Sequence, residues 1–308
     1  MVAVISGAIT GFLLTLFEIQ VQSRSPAFRK LPLLLALLLR TAIYGAVFVF
    51  SQKLVLAAMQ QLVPLSGPRT PIALNARNIY AFVGISLAIN IVFLLRRLLG
   101  TKTLMSLATG RYRRPRVEER VVLFFDLRGS TALAERLGDA AYLDLLNRVL
   151  YLVTDPVLVW RGEIYRYVGD EVIVTWQAAT GLRDAACVSC LFAVIDAIAG
   201  EREVFLKEFG EEPRLRAALH VGPLMVGIIG DLKTEIVMLG DTMNTTARIE
   251  DACRVTGHDY IISGDLRRRL PAIPDGIVAT PLQPIPLRGK EAPVDLFALA
   301  LAGERPRN

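Results

Sequence analysis

The feature that most limits what this chain can fold into is a change of character near residue 100 of its 308 residues. Before that point Leu, Ile, Val, Ala and Phe dominate and acids are scarce; after it, charges and turn residues mix as they do in a globular domain. Three apolar runs occupy the first part: residues 2–17, residues 31–59 with Arg40 and Lys53 inside, and residues 79–95. A helix needs roughly 20 mostly apolar residues to cross the hydrocarbon core. The pattern therefore predicts a transmembrane region of about three helices over residues 1–100, with the remainder long enough for one ordinary domain. The start, Met1 to Ser6, lacks the positive charge of a cleaved leader, so the first run is expected to stay as an anchor.

The formal charge of +6 is placed at the edges of these runs. Arg24, Arg29 and Lys30 follow the first, and Arg96, Arg97, Lys102, Arg111, Arg113, Arg114 and Arg116 follow the last. Lys and Arg collect in cytoplasmic loops. The expectation is a multi-pass protein of the inner or plasma membrane, with the lipid bilayer as a partner, a basic juxtamembrane linker over residues 101–118 and everything after it cytoplasmic. No aromatic-interleaved basic stripe or zinc-finger spacing accompanies the charge, which argues against nucleic acid. Arg40 would cost about 2.5–3.5 kcal/mol near the bilayer centre, so it must snorkel or find a partner, for which Glu18 is a candidate. Gly7 and Gly11 form a G-x-x-x-G that lets helices approach closely, or are simply two small residues in an apolar helix. Cys187, Cys190 and Cys253 read as buried thiols, because the C-x-x-C has neither a second pair nor a nearby His.

In the second half, Arg120 to Phe125 is a β-branched and aromatic run that predicts a buried strand ending at Asp126. Leu127 to Thr131 then opens one long helical pattern through Val153. Two further strand-like runs, Gly162–Tyr167 and Val172–Trp176, flank a short hairpin turn at Val168-Gly169-Asp170-Glu171. Such a turn can be only a turn, yet two Asp residues are what Mg²⁺ with a bound triphosphate requires. Glu171 is expected to be structural, since adjacent strand residues point to opposite faces. A second strand pair is predicted around Gly222-Pro223, from Leu215–Val221 and Leu224–Ile229. Gly240-Asp241 then opens a helix on which Asn244 and Arg248, four apart, share one face. That pair suits charge stabilisation at a phosphate, or is surface decoration. The order of elements is the βαββαβ, ferredoxin-like α+β arrangement.

Three segments together carry a resemblance: Phe124-Phe125-Asp126-Leu127-Arg128-Gly129-Ser130-Thr131, Tyr167-Val168-Gly169-Asp170-Glu171, and Leu239-Gly240-Asp241-Thr242-Met243-Asn244-Thr245-Thr246-Ala247-Arg248. In order and separation they resemble the signature blocks of class III adenylate and guanylate cyclases, over a catalytic domain placed at residues 119–301, with a tail at 302–308. The resemblance implies conversion of ATP to 3′,5′-cyclic AMP and pyrophosphate. It implies two divalent cations, Mg²⁺ or Mn²⁺, held by Asp126, Asp170 and the Leu127 carbonyl. Asn244 would orient the ribose and Arg248 would neutralise charge at the α-phosphate, while Arg288 or Lys290 would touch the terminal phosphates. It further implies a homodimer, because the family draws its metal Asp residues and its Asn and Arg from different subunits.

Two positions depart from the pattern. Where adenylate cyclases usually place a Lys that reads the adenine edge, this chain has Arg166, and where they often place Asp or Thr it has Val237, which cannot accept a proton. A guanylate cyclase stays open as the alternative, as does an inactive cyclase-like regulatory module, although none of the metal or phosphate residues is lost. A diguanylate cyclase is disfavoured because Val168 to Val172 lacks the second Gly and the Phe of that signature. A transporter is disfavoured because three spans carry no internal repeat.

Overall fold

The computed structural model describes residues 12, 33–62, 76–231, 234–283 and 294–303. Outside them lie most of the first apolar run with Gly7 and Gly11, and also Glu18, Arg288, Lys290 and the tail from residue 304. The chain divides into two units, Met1–Met105 and Ser106–Asn308. In the first, helices α1 (Leu33–Leu62) and α2 (Ala76–Leu99) pack together. Leu38, Phe50, Ile85 and Val92 project from them as exposed apolar side chains. Among the described residues no helix is long and apolar enough to cross a membrane. Of the two helices, α1 carries Arg40 and Lys53, and α2 carries Arg77, Arg96 and Arg97. A short helix, α3 (Thr101–Ala108), follows Gly100.

The second unit is built on β1 (Arg116–Leu127), whose side chains alternate between two buried faces. Val121, Leu123, Phe125 and Leu127 enter the main core. Val122 and Phe124 enter a smaller one on the opposite face. After β1 come α4 (Ser130–Leu137), α5 (Asp139–Val159), the hairpin of β2 (Glu163–Val168) and β3 (Glu171–Gln177), then α6 (Ala186–Gly200) and α7 (Arg202–Phe209). Leu145, Val149, Val153 and Val157 of α5 and Cys187, Leu191 and Val194 of α6 cover the main core. The long helix expected after Asp126 is thus two, because Gly138 (φ 75°, ψ 160°) takes a conformation no helix can continue through. Cys187, Cys190 and Cys253 are buried free thiols; burial pushes Cys187 up to about 12 and raises the other two as well.

Next come β4 (Leu215–Ile229), β5 (Glu235–Leu239), α8 (Asp241–Thr256), β6 (Tyr260–Ser263), α9 (Gly264–Arg269), β7 (Ile277–Pro281) and β8 (Leu296–Leu301). The sheet order is β2-β3-β1-β4-β6-β8-β7, with β5 paired to the far part of β4. Its first four strands have the order that βαββαβ connectivity requires, and β6, β8 and β7 extend it. The strand pair expected at Gly222-Pro223 is a single 15-residue strand. Every residue of β1 has a partner on β4, with Arg120 opposite Gly222 and Glu119 opposite Pro223, so the ladder runs straight through. The chain turns later, near Gly230 (φ 89°), and returns as β5.

Arg120 ties the outer end of this sheet together. Only 2% exposed, its guanidinium donates to Glu118 (2.7 and 3.0 Å), Glu163 (3.1 Å), the Thr175 hydroxyl (3.2 Å) and the Tyr112 hydroxyl (3.3 Å). Burial works to raise the Glu118 carboxyl, but its bonds to Arg120 override that and hold it below its ordinary range. Arg120→Met is therefore expected to take from Glu118 and Glu163 the buried counter-charge they share, leaving Glu118 to the more exposed Arg111. The expected loss is about 3–5 kcal/mol at neutral pH, narrowing as pH falls below 4.5 and Glu118 no longer gains from the pair; chemical denaturation of the full chain reads it.

Candidate active site

At the inner end of β1, Asp126 follows Phe124 on the alternating pattern and so lies on the face that α8 covers. Its side chain is 12% exposed. The facing residue on β4 is Arg216, whose Nη1 lies 3.5 Å from Asp126 Oδ2. From α8, Arg254 Nη2 donates to the same oxygen at 3.1 Å and also lies 3.3 Å from Glu250 Oε1. The β2–β3 turn adds Asp170 after Gly169 (φ 63°). Both Asp126 and Asp170 act on Glu171 and on Tyr142, which shows the two acids gathered at one corner. Leu127 comes next to them, its side chain in the main core.

The carboxylates at this corner outnumber what the fold neutralises. Burial, then Glu250, Asp126 and Asp170, push Glu171 up to about 7, with Arg254 opposing. Burial and then Asp126 push Glu250 to about 7, again against Arg254. The Tyr142 hydroxyl is raised by burial and by Asp170 and Asp126. Two carboxylate oxygens, Asp170 Oδ2 and Glu171 Oε1, are buried without a hydrogen-bond partner. Orphaned hard oxygens with surplus negative charge fit a hard divalent cation. Among the described residues no group of three or more His, Cys, Asp and Glu side chains is arranged to enclose a metal.

Glu171 was expected to point away, and it does not. The alternation rule fails because Asp170 sits in the turn and not on the strand, while Glu171, paired with Val168, begins β3 on the Asp126 face. Glu250, Arg254 and Arg216 were not anticipated either. The i, i+4 spacing of Glu250 and Arg254 was a usable signal; the Asp126–Arg216 pairing depends on register.

Asn244 and Arg248 stand apart from this corner. On α8, Thr242, Thr246, Ile249, Glu250 and Cys253 form the buried stripe. Asn244 is exposed, Arg248 half-buried and Asp251 and Val255 exposed, in an outer stripe.

Arg166 and Val237 lie on β2 and β5. The β2–β3 register slips by one between Ile164 and Arg166, so Tyr165 is an extra residue in the ladder. The bulge puts Tyr165 and Arg166 on the same face. The Tyr165 hydroxyl accepts from the Met238 backbone N–H at 3.0 Å, and Arg166 Nη2 meets Glu235 Oε2 at 2.6 Å. Val237 is 7% exposed and pairs with Gly227.

The description "Adenylate and Guanylate cyclase catalytic domain" matches residues 113–298. This chain belongs to the adenylate and guanylate cyclase family. Adenylate cyclase 2 of Rhizobium meliloti (strain 1021) is 44% identical over 203 residues, 66% of this chain and 56% of that protein. Human retinal guanylyl cyclase 1 is 29% identical over 179 residues, 56% of this chain and 16% of that one. The chain thus spans about half or less of these relatives. Among solved structures, the adenylyl cyclase CyaB from P. aeruginosa aligns with TM-score 0.51 and 23% identity, covering 63% of this chain and all of that one. A bacterial light-regulated adenylyl cyclase aligns with TM-score 0.62 and 16% identity, over 77% of this chain and 69% of that one. These last two establish the cyclase fold.

The raised Glu171 gives a pH prediction with a definite sign. A carboxyl shifted from 4.5 to about 7 binds its proton more tightly when folded, so it costs stability as pH rises through that window. In chelator, Glu171→Gln is expected to exceed the wild type by about 1–2 kcal/mol at pH 8 and to match it near pH 4.5, as read by thermal melts.

Proposed function

We propose that the chain is an adenylate cyclase that converts ATP to 3′,5′-cyclic AMP and pyrophosphate, working as a homodimer with two composite sites. The observation that carries this reading is the split on α8. Its inner stripe faces Asp126, while Asn244 and Arg248 sit on the outer stripe, where a second copy of the chain could use them. The 44% identity to a protein named Adenylate cyclase 2 supports ATP over GTP.

Asp126, Asp170 and the Leu127 carbonyl would hold two divalent cations, Mg²⁺ or Mn²⁺, which supply activation of the ribose 3′-hydroxyl and charge neutralisation on the triphosphate. The 3′-hydroxyl would give up its proton to water as its oxygen bonds to the α-phosphorus, the bond from that phosphorus to the oxygen bridging to the β-phosphate would break, and pyrophosphate would leave. Arg248 of the opposite chain would balance charge growing on the α-phosphate oxygens, and Asn244 would fix the ribose so that the 3′-oxygen lies in line. Arg288 or Lys290 would hold the terminal phosphates. If the site is composite, Asp126→Ala and Arg248→Ala are each expected to lose at least about 100-fold in kcat. Mixed together they should recover roughly a quarter of wild-type turnover, since half of randomly paired dimers would be mixed and each of these keeps one of two sites intact. Cyclic AMP production from ATP, beside GTP, with Mn²⁺ or Mg²⁺ present reads both; cyclic GMP would reverse the base assignment.

For base selection, Arg166 would donate to the ring and Glu235 would supply the acceptor that Val237 lacks. Residues two apart on a strand share a face, and Glu235 is already held against Arg166. One guanidinium donor and one carboxylate acceptor match the adenine edge, with its one acceptor and one amino donor. GTP is the second reading, favoured by the absence of a proton acceptor at Val237. Glu235→Ala is expected to lower kcat/KM for ATP about ten-fold or more while changing that for GTP little, measured by steady-state kinetics.

Membrane anchoring through the first hundred residues is part of the proposal. It rests on the three apolar runs and on the exposed apolar side chains of α1 and α2. The basic residues after Arg97 would place the catalytic unit in the cytoplasm.

A further inference from the structure

The two acids proposed to hold the cations are not in equivalent states. Asp170 Oδ2 is buried and has no hydrogen-bond partner, whereas Asp126 Oδ2 is engaged by Arg254 at 3.1 Å and by Arg216 at 3.5 Å. The two arginines differ as well. Arg216 is 17% exposed and stands opposite Asp126 by strand register. Arg254 is 53% exposed and ends a flexible side chain on α8. The same Nη2 that meets Asp126 lies 3.3 Å from Glu250 Oε1, a carboxylate 11% exposed and one turn back on the helix.

We propose that Arg254 is a resident counter-cation of the metal site: it occupies Asp126 in the metal-free chain and yields it to an incoming divalent cation by moving wholly onto Glu250. This rests on the reading of Asp126 and Asp170 as metal ligands. A corner holding Asp126, Asp170, Glu171 and Glu250 needs positive charge to stay folded when no metal is present, and Arg254 is the group that can supply it reversibly. Glu250 gives the guanidinium somewhere to go, so the exchange proceeds without stranding an unpaired charge in a half-buried site. Arg254 thereby weakens the metal affinity that the acids alone would have, and Glu250 restores part of it.

The test is Mn²⁺ binding to the full chain without nucleotide, with free Mn²⁺ read by electron paramagnetic resonance. Arg254→Ala and Arg254→Met, the second keeping most of the aliphatic stem, are expected to bind Mn²⁺ about ten-fold more tightly than the wild type, the order expected for removing a competing charge near the ligand. Glu250→Gln should weaken binding several-fold in the wild type, because Arg254 then stays on Asp126, and by less in an Arg254→Ala background. Unchanged or weaker binding in both Arg254 variants, with binding still abolished by Asp126→Asn, overturns the exchange and leaves the metal reading standing. Binding that Asp126→Asn does not affect overturns both. Equal effects of Glu250→Gln with and without Arg254 would show a simple charge contribution from Glu250, which also sinks the exchange.

Discussion

The catalytic unit depends on the antiparallel pairing of β1 with β4. All twelve residues of β1 are matched on β4, from Arg116 opposite Val226 to Leu127 opposite Leu215. From Arg120 to Leu127 the strand is buried on both faces, and the two ends of the ladder carry different work. The inner end sets Asp126 against Arg216 in the bottom of the acidic corner. The outer part of β4 runs past β6 and holds β5, the strand that bears Glu235 and Val237. A one-residue slip would turn Asp126 into the main core and Phe125 out of it, so the alternation of Val121 to Leu127 protects the site as much as the fold.

Electrostatics divides the unit into a paired region and an unpaired one. Around Arg120 the guanidinium donors meet acceptors, and the Glu118 carboxyl is held below its ordinary range. Around Asp126 the acids exceed the bases, two oxygens have no donor, and Glu171 and Glu250 are pushed toward neutrality. Both clusters are buried on the same sheet, about six residues apart along β1. What distinguishes them is the number of cations the chain itself provides, and that difference is why one cluster reads as architecture and the other as a place for something from outside.

Much of this was legible in the sequence where local pattern decides the outcome. The strand ending at Asp126, the turn at Gly169-Asp170 and the helix opening at Asp241 follow from periodicity and turn chemistry, and their blocks carried the family resemblance that the match over residues 113–298 bears out. The failures lie where a distant partner decides. Gly222-Pro223 looks like a turn until β1 is laid beside it. Glu171 looks structural until the turn takes up Asp170 and resets the alternation. Arg254 shows in the sequence only its i, i+4 spacing from Glu250, and the packing of α8 on the sheet is what brings it to Asp126. Arg288 and Lys290 lie outside the described residues.

The bulge at Tyr165 separates two requirements that usually constrain each other. Because Ile164 and Arg166 pair with consecutive residues of β3, Tyr165 is surplus to the ladder; its ring packs against the smaller core under Arg166, and its hydroxyl holds β5 at Met238. A change at this one position can shift the strand that presents Glu235 and Val237 without altering any strand register. The second strand can thus set where β5 lies while the pairing of β1 with β4 stays as it is.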